Sequence, residues 1–328
     1  MQRTETQSIQ HSIDVILSNQ ATSGAYLASP NFPTYRYSWF RDGSFIAYAM
    51  ALYGEMDSAA RFHHWAVETV ARRENQIRDT VSKVGRGLPL DGSDFLHTRY
   101  TVDGAEAPAT DEEWPNHQLD GFGTWLWTLA QYQQQSGKPL PEKWVHTAGL
   151  VGDYLAALWQ LPCYDCWEEF PGDIHPHTLA AIYGGLKGLS ALDGQDRSNL
   201  LKQIRDYVLE HGVYAGYFVK KIGSYTVDAS LLGLALPYGL VALEDARFTA
   251  TVERIEQSLR KGGGVHRYPT DTYFGGGEWV LLTAWLGWYY AMTGQDAKAR
   301  ELLGWIESQA DAQGNLPEQV PGTLNDPN

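Results

Sequence analysis

The feature that most constrains this chain is the recurrence of apolar faces at helical spacing. Phe122, Trp125, Leu126, Leu129 and Tyr132 fall at offsets 0, 3, 4, 7 and 10. Val151, Tyr154, Leu155 and Leu158 repeat the pattern, as do Trp279, Leu282, Thr283, Leu286 and Tyr290. Residues so spaced share one side of a 3.6-residue helix, and that side must be buried against another element. The spacing predicts helices over 5–19, 43–54, 57–79, 120–136, 142–160, 176–191, 195–210, 228–238, 245–260, 277–293 and 296–311. Several spans close on glycine, at Gly54, Gly137, Gly212 and Gly294, the residue that enters the left-handed turn after a helix most readily. Period-two alternation is confined to Thr98–Val102 and Tyr214–Val219, short enough to be hairpin arms.

Mostly short connections between these helices favour antiparallel hairpins packed side by side. No Pro-rich linker, charge block or composition break interrupts the chain, so one all-α domain over 1–328 is expected. Longer polar connections at 80–119, 161–176, 211–228, 261–276 and 312–328 are rich in Gly, Pro and aromatic residues. Loops of that length on a helical scaffold are where function is expected.

Composition removes several function classes. Lys and Arg number 25 against 39 Asp and Glu, a formal charge of −14 with no basic run, which disfavours nucleic acid and anionic membrane surfaces as partners. No apolar run approaches the ~18–20 residues that span a bilayer. The polar segment Met1–Gln10 lacks the apolar stretch of a signal peptide, so a cytoplasmic location is expected. No glycine-rich phosphate loop follows a strand, so no nucleotide cofactor is expected. Cys163 and Cys166 are the two cysteines; their loop setting and the lack of a second pair argue against a redox or metal role. His175 and His177 flank Pro176 and do not make a convincing metal pair, so no metal is expected. His63 and His64, adjacent on a helix, should diverge and be partly solvated.

With 12 Trp, 19 Tyr and 10 Phe, the chain holds more polar-edged rings than a core requires, and such rings suit a wet pocket for a flat polar ligand such as a sugar. The polar clusters lie at Tyr35–Asp42, Trp114–Gly121, Trp167–Glu169, Arg267–Tyr273 and Glu318–Gln319. Carboxylates on separate loops, with Trp, Arg and Asp around them, are what glycoside hydrolysis requires: one acid protonates the leaving oxygen, the other attacks or activates water. The same residue types also fit packing tryptophans and a glutamate in a helix-opening turn.

The order of the clusters is more specific than their content. YRYSWFRDG, WPNHQLDGFG, CWEEFPGDIHPHT, RYPTDTYFGGGEW and LPEQV resemble, in that order, the motifs of the glucoamylase family of inverting α-glucosidases, glycoside hydrolase family 15. The resemblance runs through nearly the whole chain. It implies an (α/α)6 barrel, two concentric rings of six helices with the active site at one end. It also implies Glu168 as general acid and Glu318 as general base. Arg41 and Asp42 would hold the far hydroxyls of the non-reducing glucose, and Glu169 and Arg267 its nearer hydroxyls or the adjoining unit. Trp114 would stack over the scissile region and Tyr35 lie beside the catalytic water. Trp39, Gln118 and Trp167 belong to the same motifs and are expected to line the substrate. The negative charge of Glu169 and a dry Trp wall would help Glu168 keep its proton.

The family activity implied is release of β-glucose from the non-reducing end of short α-glucans of maltose, isomaltose or dextrin type. Trehalose hydrolysis, or sugar binding without turnover, are the alternatives. The eleven predicted helices are one short of the twelve in the resembled fold: the last helix is lacking or altered, or one predicted span contains two, or a partner supplies it.

Overall fold

Most of the spans with helical spacing are α-helices. The structure, a computed structural model, describes residues 5–107 and 116–321. The helices are α1 (Glu5–Asn19), α2 (Phe40–Leu52), α3 (Met56–Ala71), α4 (Glu74–Gly85), α5 (Asp120–Ser136), α6 (Glu142–Leu158), α7 (Pro176–Asp193), α8 (Ser198–His211), α9 (Ala246–Leu259), α10 (Val280–Met292) and α11 (Asp296–Ser308). Six two-residue strands form three antiparallel pairs. These are β1 (Ser38–Trp39) with β2 (Arg99–Tyr100), β3 (Val213–Tyr214) with β4 (Tyr217–Phe218), and β5 (Glu278–Trp279) with β6 (Gln319–Val320). Among the described residues no helix is long and apolar enough to cross a membrane.

The described residues form two compact units, one within Val15–Asp206 and one joining the described residues before Val15 to those after Asp206. In the Val15–Asp206 unit, α5 packs closely on α7. A methyl group on Gly123 would stand 2.6 Å from the Ala181 backbone, and one on Gly185 would stand 2.4 Å from the Gly123 carbonyl oxygen. Both positions exclude larger residues because backbone meets backbone there. Helix α2 lies against α5 and α3. Phe40, its first residue, meets Phe122 at 4.8 Å and Trp125 at 5.7 Å between ring centroids. Fully burying such a ring stabilises by about 1.5–3 kcal/mol. Here it also fixes the N-terminus of α2, from which Arg41 and Asp42 project.

In the other unit, α10 packs on α11, and a six-residue 3-10 helix, Ala229–Leu234, packs on α9 and α10. Leu231, Leu234, Phe248, Ile255, Leu282 and Leu286 are fully buried there. Next to them the Lys220 ammonium bonds the Asp228 carboxylate at 2.8 Å, and both side chains are buried. Burial opposes the charge on Asp228, but Lys220 and the amide and hydroxyl of Ser230 outweigh it and hold the carboxyl below its usual range.

Two expected helices differ from those found. The span 57–79 is two helices, α3 and α4, interrupted at residues 72–73. The Arg73 guanidinium reaches back to the Thr69 carbonyl at 2.6 Å and across to the Gly104 carbonyl at 3.1 Å, so its side chain takes over bonding that a continuing helix would supply. Apolar spacing continues through this break and does not reveal it. The span 228–238 is the Ala229–Leu234 3-10 helix, because Pro237 has no N–H to extend a ladder and Asp228 caps the start through the Ser230 amide. With these changes the helical segments longer than one turn number twelve among the described residues, eleven α and one 3-10. Helix α2 starts three residues earlier than expected, directly from β1. His63 is buried rather than partly solvated; His64 alone is exposed. The reason is that α3 turns His63 inward against Phe62, Tyr132 and Trp144.

Candidate active site

In the Val15–Asp206 unit the expected site residues gather around Arg41. Its guanidinium donates to Gln118 Oε1 at 2.9 Å and to Asp120 Oδ2 at 3.1 Å. It lies 3.8 Å from Glu168 Oε1 and 3.9 Å from Asp42 Oδ2. Burial works against its charge, but Asp120, Asp42 and Glu168 outweigh burial and hold it firmly protonated. Asp42 sits in the first turn of α2, where its charge also suits the positive end of the helix dipole.

Trp39 ends β1, whose pairing with β2 places it opposite Arg99. Its ring lies 6.1 Å from Tyr35, and Arg99 spans Tyr37 at 4.5 Å and Trp39 at 5.8 Å. With the ring buried, its indole N–H donates to Glu168 Oε1 at 2.8 Å. Trp39 thus acts on the carboxyl of Glu168 through its polar edge.

Glu168 occupies the left-handed region at φ 67°, unusual for a side chain with a Cβ. A knot centred on the buried Asp165 imposes it. One Asp165 carboxylate oxygen accepts from the Trp167 amide at 3.0 Å and from the Glu169 amide at 2.9 Å, while the Asp165 carbonyl accepts from the Glu168 amide at 2.9 Å. Such strain persists only where the surroundings over-determine it. The Glu168 side chain is only 18% exposed. Burial pushes its carboxyl above the ordinary carboxylate range, against the pull of Arg41, Gln118 and Trp39; the acid that adds to the rise is Asp42. The result is a carboxylic acid in reach of solvent, biased toward holding its proton and aimed by an indole donor.

In the other unit, Glu318 directly precedes β6 and its side chain is exposed. Its carbonyl accepts from the Val280 amide at 3.3 Å, and the next two residues pair with Trp279 and Glu278. The Glu278 carboxylate in turn holds the Gly262 and Gly264 amides at 2.8 and 2.9 Å. Arg267 is buried and donates through Nε and Nη2 to the two carboxylate oxygens of Asp271, among the rings of Tyr268, Tyr273 and Trp279.

Of the residues expected in the site, Tyr35, Trp39, Arg41, Asp42, Gln118 and Glu168 form one connected set. Trp167 and Glu169 flank the acid, both half-buried, and Trp114 lies outside the described residues. Three residues were not singled out: Asp120, which anchors Arg41, Asp165, which shapes the acid loop, and Arg99, which backs Trp39. Asp120 lies in the WPNHQLDGFG motif, and an Asp three residues before the acid suggests a turn. Nothing local marks Arg99, whose place depends on strand pairing. Among the described residues no His, Cys, Asp and Glu cluster could hold a metal ion. Cys163 and Cys166 are buried and not joined in a disulfide, and burial pushes Cys163 up to about 12.

The family model for glycosyl hydrolases family 15 matches residues 4–312. The chain belongs to this family. It is therefore a glycoside hydrolase. Isomaltose glucohydrolase of Kribbella flavida is 41% identical to this family member over 97% of the chain and 83% of its own length. A solved wild-type glycosidase superposes with a TM-score of 0.92 at 40% identity, covering 98% of this chain and 88% of its own. Glucoamylase from Saccharomycopsis fibuligera superposes with a TM-score of 0.75 at 16% identity, over 98% and 90% of the two chains. The last likeness shows the fold, the (α/α)6 barrel of glucoamylases.

Proposed function

We propose that this family member is an exo-acting, inverting α-glucosidase that releases β-glucose from the non-reducing end of short α-glucosides, with isomaltose as its leading substrate. The observation that carries the reading is the state of Glu168. A buried carboxyl with raised proton affinity, held by Trp39 Nε1 at 2.8 Å in a strained backbone, has the properties a general acid needs near neutral pH. The substrate comes from likeness to the Kribbella flavida enzyme, whose name specifies isomaltose.

In the proposed mechanism Glu168 protonates the glycosidic oxygen as the bond to the anomeric carbon breaks. Glu318 takes a proton from the water that attacks the opposite face of the ring, so configuration inverts in one step. Arg41 and Asp42 bind hydroxyls of the non-reducing glucose, and Gln118 and Asp120 keep the Arg41 fork in one orientation. Tyr35, Trp114 and Trp167 line the sugar; Glu169 and Arg267 serve its nearer hydroxyls or the adjoining unit. Trp39 positions the acid. No cofactor takes part in this scheme, and the whole chain serves as one catalytic domain.

Following the anomeric proton by NMR during isomaltose hydrolysis tests the reading. Early in the reaction the released glucose should hold more β-anomer than the mutarotated mixture, because the enzyme sets the anomer of the non-reducing unit while the reducing unit leaves as the α/β mixture it already was. An initial excess of α-anomer over the mutarotated mixture from isomaltose, or no glucose from isomaltose, maltose or trehalose, refutes it. Glu168→Gln and Glu318→Gln should each lower kcat by about 10²–10⁴ with the helical circular dichroism unchanged.

A further inference from the structure

Phe274 combines two features that a chain ordinarily avoids. Its backbone is left-handed, at φ 43° and ψ 46°, and its phenyl ring is 69% exposed. A lone exposed ring needs no explanation, and neither does a glycine in a left-handed turn. A bulky apolar residue in that conformation, with no burial to offset it, does.

The turn is held from several sides. The Asp271 carboxylate accepts from the Tyr273 amide at 2.9 Å while it pairs with the buried Arg267. The Gln319 side-chain amide donates to the Tyr273 carbonyl at 2.9 Å, which ties the turn to the strand following Glu318. The Gly276 carbonyl bonds His266 Nδ1 at 2.8 Å, and a methyl group on Gly276 would stand 2.3 Å from the Asp271 carbonyl oxygen. Gly277 is packed as closely: a methyl group there would stand 1.9 Å from the Val320 carbonyl oxygen. The Phe274 ring meets Tyr273 edge-on, at 4.7 Å and 87° between planes. The strained turn thus presents an open aromatic face on the frame that carries Arg267 and Glu318.

We propose that Phe274 is a specificity-determining residue: its ring is the wall on which the leaving sugar of an α-glucoside packs its apolar C–H face. This rests on the glucosidase reading and deepens it. Aromatic faces complement pyranose rings through apolar contact, and a ring fixed before binding loses little freedom when the sugar arrives. Gln319, itself in β6, holds the turn to that strand through the Tyr273 carbonyl.

The test compares a substrate that has a leaving sugar with one that has none. Isomaltose leaves glucose behind; α-glucosyl fluoride leaves a single atom. The ratio of kcat/KM for isomaltose to that for α-glucosyl fluoride should fall at least tenfold in Phe274→Ala, chiefly through KM, and stay within twofold of wild type in Phe274→Tyr. Phe274→Asn removes the ring while suiting the left-handed backbone, so it should match Phe274→Ala and separate loss of the ring from damage to the turn. An unchanged ratio in both ring-deleted variants overturns the inference while the glucosidase reading stands. A wild-type protein that hydrolyses neither substrate overturns that reading and this inference together.

Discussion

Replacing Trp39 by Phe removes one hydrogen-bond donor from the proposed acid and keeps a ring in place. The indole N–H meets Glu168 Oε1 at 2.8 Å, and with 18% of the Glu168 side chain exposed, water can replace that donor only in part. A hydrogen bond to a charged group contributes about 1.5–3 kcal/mol and one to a neutral group about 0.5–1.5 kcal/mol, so the indole favours the carboxylate over the acid by about 1 kcal/mol. At 1.36 kcal/mol per unit of pKa, its removal should raise the Glu168 proton affinity by about 0.7 unit. The sign follows from the proton balance: a donor stabilises the ionised form, burial already opposes that form, and loss of the donor adds to burial. Arg41, 3.8 Å away, limits the rise. The alkaline limb of kcat/KM against pH reports the acid in the free enzyme. It should move up in Trp39→Phe by about 0.7 unit, while the acid limb stays and kcat falls as the carboxyl loses its fixed orientation. An alkaline limb that stays or moves down would refute the claim that Trp39 acts on this carboxyl.

Two further perturbations test the scaffold. Asp228→Asn leaves the Lys220 ammonium buried without its counter-charge, beneath the Tyr268 ring at 4.1 Å, and should cost about 3–5 kcal/mol in urea unfolding. His63, whose burial lowers its pKa to about 3, folds in the neutral form, so its contribution is complete above the unfolded value near 6.5 and is lost as pH falls from there toward 3. The melting temperature of His63→Leu should therefore decline less steeply than that of the wild type across this window; equal slopes would assign the acid sensitivity to other groups.

Helices with a continuous apolar stripe, such as α5 and α6, could be read directly from residue spacing, because burial of one face decides their existence. The break between α3 and α4 could not, since it arises from Arg73 binding carbonyls far along the chain while the apolar period runs on. The 3-10 helix at Ala229–Leu234 has the apolar content of an α-helix, and Pro237 was the local sign against one. In the candidate site, Arg41, Asp42 and Glu168 were legible as chemistry on loops. What joins them was less so: Asp120 beneath Arg41 depends on the approach of α2 to α5, and Trp39 bonding Glu168 depends on two segments 129 positions apart. The strands β1, β5 and β6 are two residues long, too short to show alternation, yet they set the directions of Trp39 and Glu318.

The left-handed backbone at Glu168 sets folding and chemistry against each other at a single position. Glycine there would relieve a strain of about 1–3 kcal/mol and also free the chain from burying a carboxyl, so the simplest loss of the acid would leave a sturdier protein. A variant screen scored on heat resistance alone would be drawn toward discarding this side chain. Enzyme engineers working on this scaffold must therefore score turnover alongside stability, or the screen will select well-folded sugar binders.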